Sequence, residues 1–183
     1  MFSKQLRFCR RYVRAINLRF DQHIMKNINT KQDGIIIRKA VSEDLSHIIL
    51  LLGDDPLGQA REDTRLPPAQ SYIDAMEEII RDNNTELLVV ENAGDIIGVA
   101  QINYLRYLTY QGGLRAQIEG VRIHKGYQGL GLGKKLFQDL IDRAKTRKCH
   151  LVQLTTDKAR PDALVFYERL GFKQSHFGLK LHL

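Results

Sequence analysis

Gln128-Gly129-Leu130-Gly131-Leu132-Gly133 decides how the rest of this chain reads. Before it, Ile118-Glu119-Gly120-Val121-Arg122-Ile123 alternates like a strand. After it, Leu132, Leu136, Phe137, Leu140, Ile141 and Ala144 recur at helical spacing. The glycines therefore sit where a strand gives way to a helix. Such a turn leaves backbone N–H groups without intrahelical partners, and with the helix dipole they favour an anion, most often a phosphate. Glycine lets a ligand approach the backbone closely, because it has no Cβ.

Other glycine loops fit less well. The dinucleotide fingerprint reads G-x-G-x-x-G, and here the last glycine comes one residue early. A P-loop needs a glycine where this chain has Gln128, and Ser or Thr where it has Lys135. A plain tight turn remains an alternative on the glycines alone.

The chain is 183 residues long, 43% hydrophobic and 27% charged, which suits one soluble domain with a sizeable core. No apolar run approaches the roughly 18 residues of a membrane span. The two cysteines, Cys9 and Cys149, make neither a disulfide framework nor a metal site, and a reducing cytoplasm is the expected setting. Cys149 reads as packing at the start of a buried strand. The net charge of +7 is uneven: residues 1–33 carry +6 and residues 34–183 only +1. A basic N-terminal extension, 1–33, thus precedes a nearly neutral domain, 34–183. The domain shows no basic face of the kind nucleic acid needs. In the extension, arginines interleave with Leu6, Val13, Ile16 and Phe20. An amphipathic helix on an anionic membrane or RNA is one reading, and a start of the native chain at Met25 is another.

The elements read as β-α-α-β-β-β-α-β-α-β. Ile35–Lys39 is a strand and Ser42 caps a first helix. Residues 53–68 form a polar loop, and residues 69–82 a second helix. A hairpin turns at Asn92-Ala93-Gly94-Asp95, and a third strand returns over Leu114–Ile123. A strand begins at His150, a helix at Pro161, and a last strand covers Phe172–Leu183. The expected fold class is mixed α/β. A mostly antiparallel sheet of six to seven strands is flanked by four helices, and a β-α-β crossover carries the glycine turn.

That order, with the glycine turn after the fourth strand and Phe166-Tyr167-Glu168-Arg169-Leu170-Gly171-Phe172 near the end, resembles the GCN5-related N-acetyltransferases. The family motif Q/R-x-x-G-x-G/A is matched by Gln128, Gly131 and Gly133. The resemblance covers residues 35–183. It implies acetyl-coenzyme A as cosubstrate, no metal, and a primary amine as acceptor. It implies that Val121, Arg122 and Ile123 pair with the pantetheine arm, with the Val121 N–H toward the acetyl carbonyl. The pyrophosphate would rest on Gln128, Gly129, Leu130, Gly131, Leu132, Gly133 and Lys134. Arg160 stands where many relatives carry asparagine, and could reach a coenzyme phosphate instead.

Tyr167 matches the family's tyrosine, which protonates the leaving thiolate. A phenol pKa near 10 against a thiol near 8.5 allows this exchange. Glu119 is the expected base that takes the acceptor ammonium's proton, so that the neutral amine can attack. Alternation puts it on the face of Val121 and Ile123, with His124 on the opposite face and solvated. Asp54, Asp55, Glu62 and Asp63 could attract a cationic acceptor. A small-molecule or amino-acid-like amine is the expected substrate, taken by direct transfer in a ternary complex. A protein N-terminus or lysine, or a non-catalytic coenzyme-A-binding domain, are the alternatives, and a homodimer stays open.

Overall fold

The computed structural model describes residues 34–181. The expected basic extension therefore lies outside the described residues.

Five strands form one sheet in the order β1 to β5: Ile35–Lys39, Thr85–Asn92, Asp95–Arg106, Leu114–Ile123 and Leu151–Leu154. The first three junctions are antiparallel and the last, β4 with β5, is parallel. The β2–β3 hairpin closes through Ala93 and Gly94, both with positive φ (51° and 90°), as a tight hairpin turn requires. The parallel junction needs a crossover, and the helix α3 (Leu132–Thr146) supplies it.

Each face of the sheet has its own apolar layer. Leu132, Leu136, Phe137, Leu140 and Ala144 are the buried stripe of α3, and they pack on Leu88, Val90, Ile102, Ala116 and Ile118. The helix α4 (Pro161–Arg169) adds Phe166 and Tyr167 to this layer. On the other face, Ile48 and Leu51 of α1 (Leu45–Leu52) and Met76 of α2 (Gln70–Arg81) cover Val89 and Val99. Glu86 is buried, but it accepts from Tyr104 Oη at 3.0 Å and Arg143 Nη1 at 2.7 Å, which ties α3 to β2 and β3.

Three expectations change. The sheet has five strands among the described residues, not six to seven. The expected last strand is absent over residues 172–181, where Phe177, Leu179 and Leu181 stand 98%, 94% and 86% exposed. Their alternation is strand-like, but no apolar layer among the described residues receives them. Ser42 does not cap α1. It opens a 3-10 turn, Ser42–Asp44, and Asp44 instead folds back to accept from Val41 N–H at 2.9 Å while binding Arg38. The loop after α1 also holds a one-turn helix, Pro56–Gln59.

Phe137 joins the two helices of the first layer. Its ring lies 5.6 Å from that of Phe166, 5.4 Å from Tyr167 and 6.0 Å from Phe172. Phe137→Ala is expected to lower unfolding stability by about 3–5 kcal/mol in urea titrations. A loss under about 1 kcal/mol would mean that α4 docks without it.

Candidate active site at the β4–α3 turn

The glycine turn is open toward solvent and rich in unpaired donors. Among the described residues, no protein group accepts from the N–H groups of Gly129, Leu130, Gly131, Leu132, Gly133 and Lys134. The Gln128 N–H bonds weakly to Lys125 O at 3.3 Å, and its side-chain amide donates to Ile123 O at 3.1 Å, which pins the turn to the end of β4. Gly129 and Gly131 have φ of +78° and +81°, and a Cβ at either would meet nothing within 4 Å. Backbone conformation, not crowding, asks for glycine at both. Gly133 differs: a Cβ there would come within 3.2 Å of the Phe166 ring, so this glycine lets α3 pack closely on α4.

The strand before the turn carries a β-bulge. Glu119 pairs with Gln101 and Arg122 with Val99, so Gly120 and Val121 together oppose the single residue Ala100. Gly120 has φ +62°, a left-handed bulge position. An extra residue reverses the alternation. Val121 and Ile123 join Ala116 and Ile118 in the layer under α3. Glu119 and Arg122 share the opposite face, that of Val99. The expectation that Glu119 sits on the face of Val121 and Ile123 is thereby corrected.

Beyond the bulge the strands part. β5 pairs with β4 only over Arg115–Ile118, opposite Leu151–Leu154. The backbone of Glu119–Ile123 has no β5 partner on that side. A cavity of about 170 Å³ opens here, bordered by Val121, Arg122, Ile123, Gln128, Asp55 and Arg160. A larger groove of about 610 Å³ lies at the β3–β4 hairpin end and includes none of these residues.

Four side chains share an electrostatic neighbourhood at this opening. Burial pushes the Tyr167 phenol above its ordinary pKa, Arg122 and Arg160 draw it back, and Glu119 adds to the rise. Tyr167 therefore carries its proton at neutral pH. Glu119 is exposed, and its Oε1 accepts from Gln117 Nε2 at 2.7 Å. Gln117 Oε1 in turn accepts from Gln153 Nε2 at 2.6 Å. These amides hold the Glu119 carboxylate and leave its second oxygen for another donor. His124 is buried, 7% exposed, rather than solvated. Its Nδ1 accepts from Gly126 N–H at 3.2 Å, and its ring meets Tyr127 edge-on. Cys149 is half-buried beside the core, and burial raises its thiol pKa. A raised pKa does not suit a nucleophile.

Asp55 was a candidate for drawing a cation, yet it is already committed. It caps the Pro56–Gln59 turn through Gly58 N–H at 2.6 Å and pairs with both Arg160 and Arg122, the latter at 3.2 Å. Asp54 meets Lys125 at 3.5 Å, Asp63 binds Arg65, and Glu62 accepts from Tyr72 Oη. Each of these carboxylates already has a partner, three of them a cation. Asp55-Pro56 is a readable helix-start signal, a cap followed by proline. Gln117 and Gln153 carry no such signal, since only the β4–β5 register brings them together.

The family model described as "Acetyltransferase (GNAT) family" matches residues 50–172, and this chain belongs to that family. A solved Bacillus halodurans C-125 structure, described as a transcriptional regulator, is 52% identical. It covers 81% of this chain and 99% of its own, with TM-score 0.80. The glucosamine 6-phosphate N-acetyltransferase of Trypanosoma brucei brucei is 31% identical over 54% of this chain. The match takes in 65% of that relative's length, under two thirds. The aminoalkylphosphonate N-acetyltransferase of Salmonella typhimurium is 24% identical over 59% of this chain and 70% of its own.

Asp55 gives this site a pH signature. Burial works against its carboxylate, but the Gly58 N–H and the charges of Arg122, Arg160 and Arg61 hold its pKa below the ordinary value. Its stabilising contribution is then present above an unfolded pKa of about 3.9 and fades as pH falls through the folded value. Asp55→Asn should be less stable than the parent at pH 6, with the gap narrowing as pH drops below about 4. A gap of constant size in urea midpoints across that range would show that the paired charge contributes nothing.

Proposed function

We propose that this chain moves the acetyl group of acetyl-coenzyme A to the primary amine of a small-molecule or amino-acid-like acceptor, by direct attack while both are bound. The observation that carries the reading is the row of six amides from Gly129 to Lys134 without protein acceptors, set beside the open edge of Glu119–Ile123. A diphosphate suits such amides at a helix N-terminus. An extended amide-bearing arm suits an unpaired strand edge. The bare space at Gly129 and Gly131 is what close approach of a phosphate needs. Val121, Arg122 and Ile123 would border the arm, and Gln128 would fix the turn.

Bound acetyl-coenzyme A supplies a thioester carbonyl open to an amine. The acceptor arrives mostly as an ammonium, with a pKa of about 10.4 for a lysine-like amine. Glu119 takes its proton, directly or through water, and Gln117 and Gln153 keep the carboxylate turned to receive it. As nitrogen bonds to carbon and the carbon–sulfur bond breaks, the protonated Tyr167 gives its proton to sulfur, and the surplus proton on nitrogen restores the phenol. The Val121 N–H, at the bulge, is the expected donor to the carbonyl oxygen. One such donor is worth about 3 kcal/mol in other enzymes.

The first test is thiol release from acetyl-coenzyme A against a panel of small amines, amino acids and lysine peptides. Tyr167→Phe should lower kcat about tenfold or more with the coenzyme KM held. An unchanged kcat removes Tyr167 from the mechanism. Glu119→Gln should move activity to higher pH, where more amine is already neutral. A pH–rate profile that overlays the parent's would assign the base elsewhere. Gly131→Ala should weaken coenzyme binding roughly tenfold, since a left-handed alanine costs about 1–2 kcal/mol. Undiminished binding by calorimetry would move the phosphates away from the turn.

The description of the Bacillus halodurans relative keeps a second reading in view, a coenzyme-A-binding domain without turnover. Tight coenzyme binding with no thiol release from any amine would favour it.

A further inference from the structure

The cavity mouth beside β4 is cationic. Arg122, Arg160 and Arg61 all act on one carboxylate, Asp55. Lys125 nearby is matched by Asp54. Two guanidinium groups, those of Arg122 and Arg160, thus pair with a single carboxylate. Arg122 is the more enclosed of them, with its side chain 16% exposed. Burial lowers its pKa, Arg160 and Arg61 lower it further, and Asp55 opposes them. Its Nη1 donates to Val121 O at 2.7 Å, but among the described residues its buried Nε has no hydrogen-bond acceptor. Asp55 Oδ2 lies 3.2 Å away as an ion-pair partner, without making a hydrogen bond to it. One carboxylate between two part-buried guanidinium groups leaves a net positive charge, which a second anion would offset.

Two placements of that anion differ in geometry. The coenzyme diphosphate already has the amides of the glycine turn. Arg122 instead stands on the Glu119 face of β4, and Glu119, Arg122 and Arg160 all act on the Tyr167 phenol. Arg122 and Arg160 both line the cavity beside β4, within electrostatic reach of Tyr167. We propose that Arg122 and Arg160 form a subsite for an anionic group on the acceptor amine, a carboxylate, phosphate or phosphonate. Asp55 holds the two guanidinium groups in register. This rests on the acetyl-transfer reading and deepens it: the acceptor is an amine with an acid a few bonds away. Guanidinium forks match all three oxyanions. The named acceptors of the trypanosomal and Salmonella relatives are of this chemical kind.

The test compares matched amines on the full chain: 2-aminoethylphosphonate with ethanolamine, glucosamine 6-phosphate with glucosamine, and an amino acid with its amide. For at least one pair, kcat/KM should favour the anionic member about tenfold or more. Arg122→Met and Arg160→Met should each erase that ratio by raising the KM of the anionic acceptor more than that of its neutral partner. Arg122→Lys should keep part of it. Equal kcat/KM within every pair overturns the subsite while leaving acetyl transfer standing. A raised coenzyme KM alone assigns the arginines to the coenzyme and also overturns it. A readout free of turnover is the melting temperature of the coenzyme A complex with each amine added. The anionic members should raise it in the parent and not in the methionine variants. That result without any thiol release would uphold the subsite and sink the transfer reading, and no shift in any pair sinks the subsite.

Discussion

One extra residue in β4 organises the site. Gly120 takes a left-handed conformation, and two residues of β4 then face one of β3. The bulge bends the strand and reverses its alternation. It falls where β5 stops pairing, so the sheet opens at that point. It also leaves Val121 and Ile123 under α3 while turning Glu119 and Arg122 to the other face. Without it, Glu119 would share the face of Val121 and Ile123.

The three glycines of the turn divide their work. Gly129 and Gly131 are needed for conformation, and Gly133 for the approach of Phe166. The site is thus braced from behind by the aromatic group of Phe137, Phe166, Tyr167 and Phe172. That packing sets the Tyr167 phenol near Glu119, Arg122 and Arg160. The same burial that orders the ring keeps its proton on.

Charge around Asp55 is set by pairing, not by composition. The loop after α1 is acidic in sequence, yet each of Asp54, Asp55, Glu62 and Asp63 is occupied. Two arginines from β4 and the α4 start converge on Asp55 and outnumber it. Gly58 holds the loop to this arrangement, since a Cβ there would strike Leu52 O at 2.0 Å. A surface that reads as anionic along the chain becomes cationic where the chain folds.

The sequence by itself determined the strand–turn–helix, the stripe of α3, the hairpin at Ala93-Gly94 and the tyrosine helix. These depend on periodicity and on turn residues, which act between near neighbours. Phe172–Leu183 alternates as well as any strand here, yet residues 172–181 form none, because a strand also needs a partner and a face to cover. Tertiary structure alone decided the face of Glu119, the Gln153–Gln117 relay and the meeting of Asp55 with Arg122 and Arg160. A one-residue bulge inverts every parity argument downstream of it, and ion pairs between distant segments leave no local trace. Period-two reasoning is sound until the register shifts, and register belongs to two strands at once.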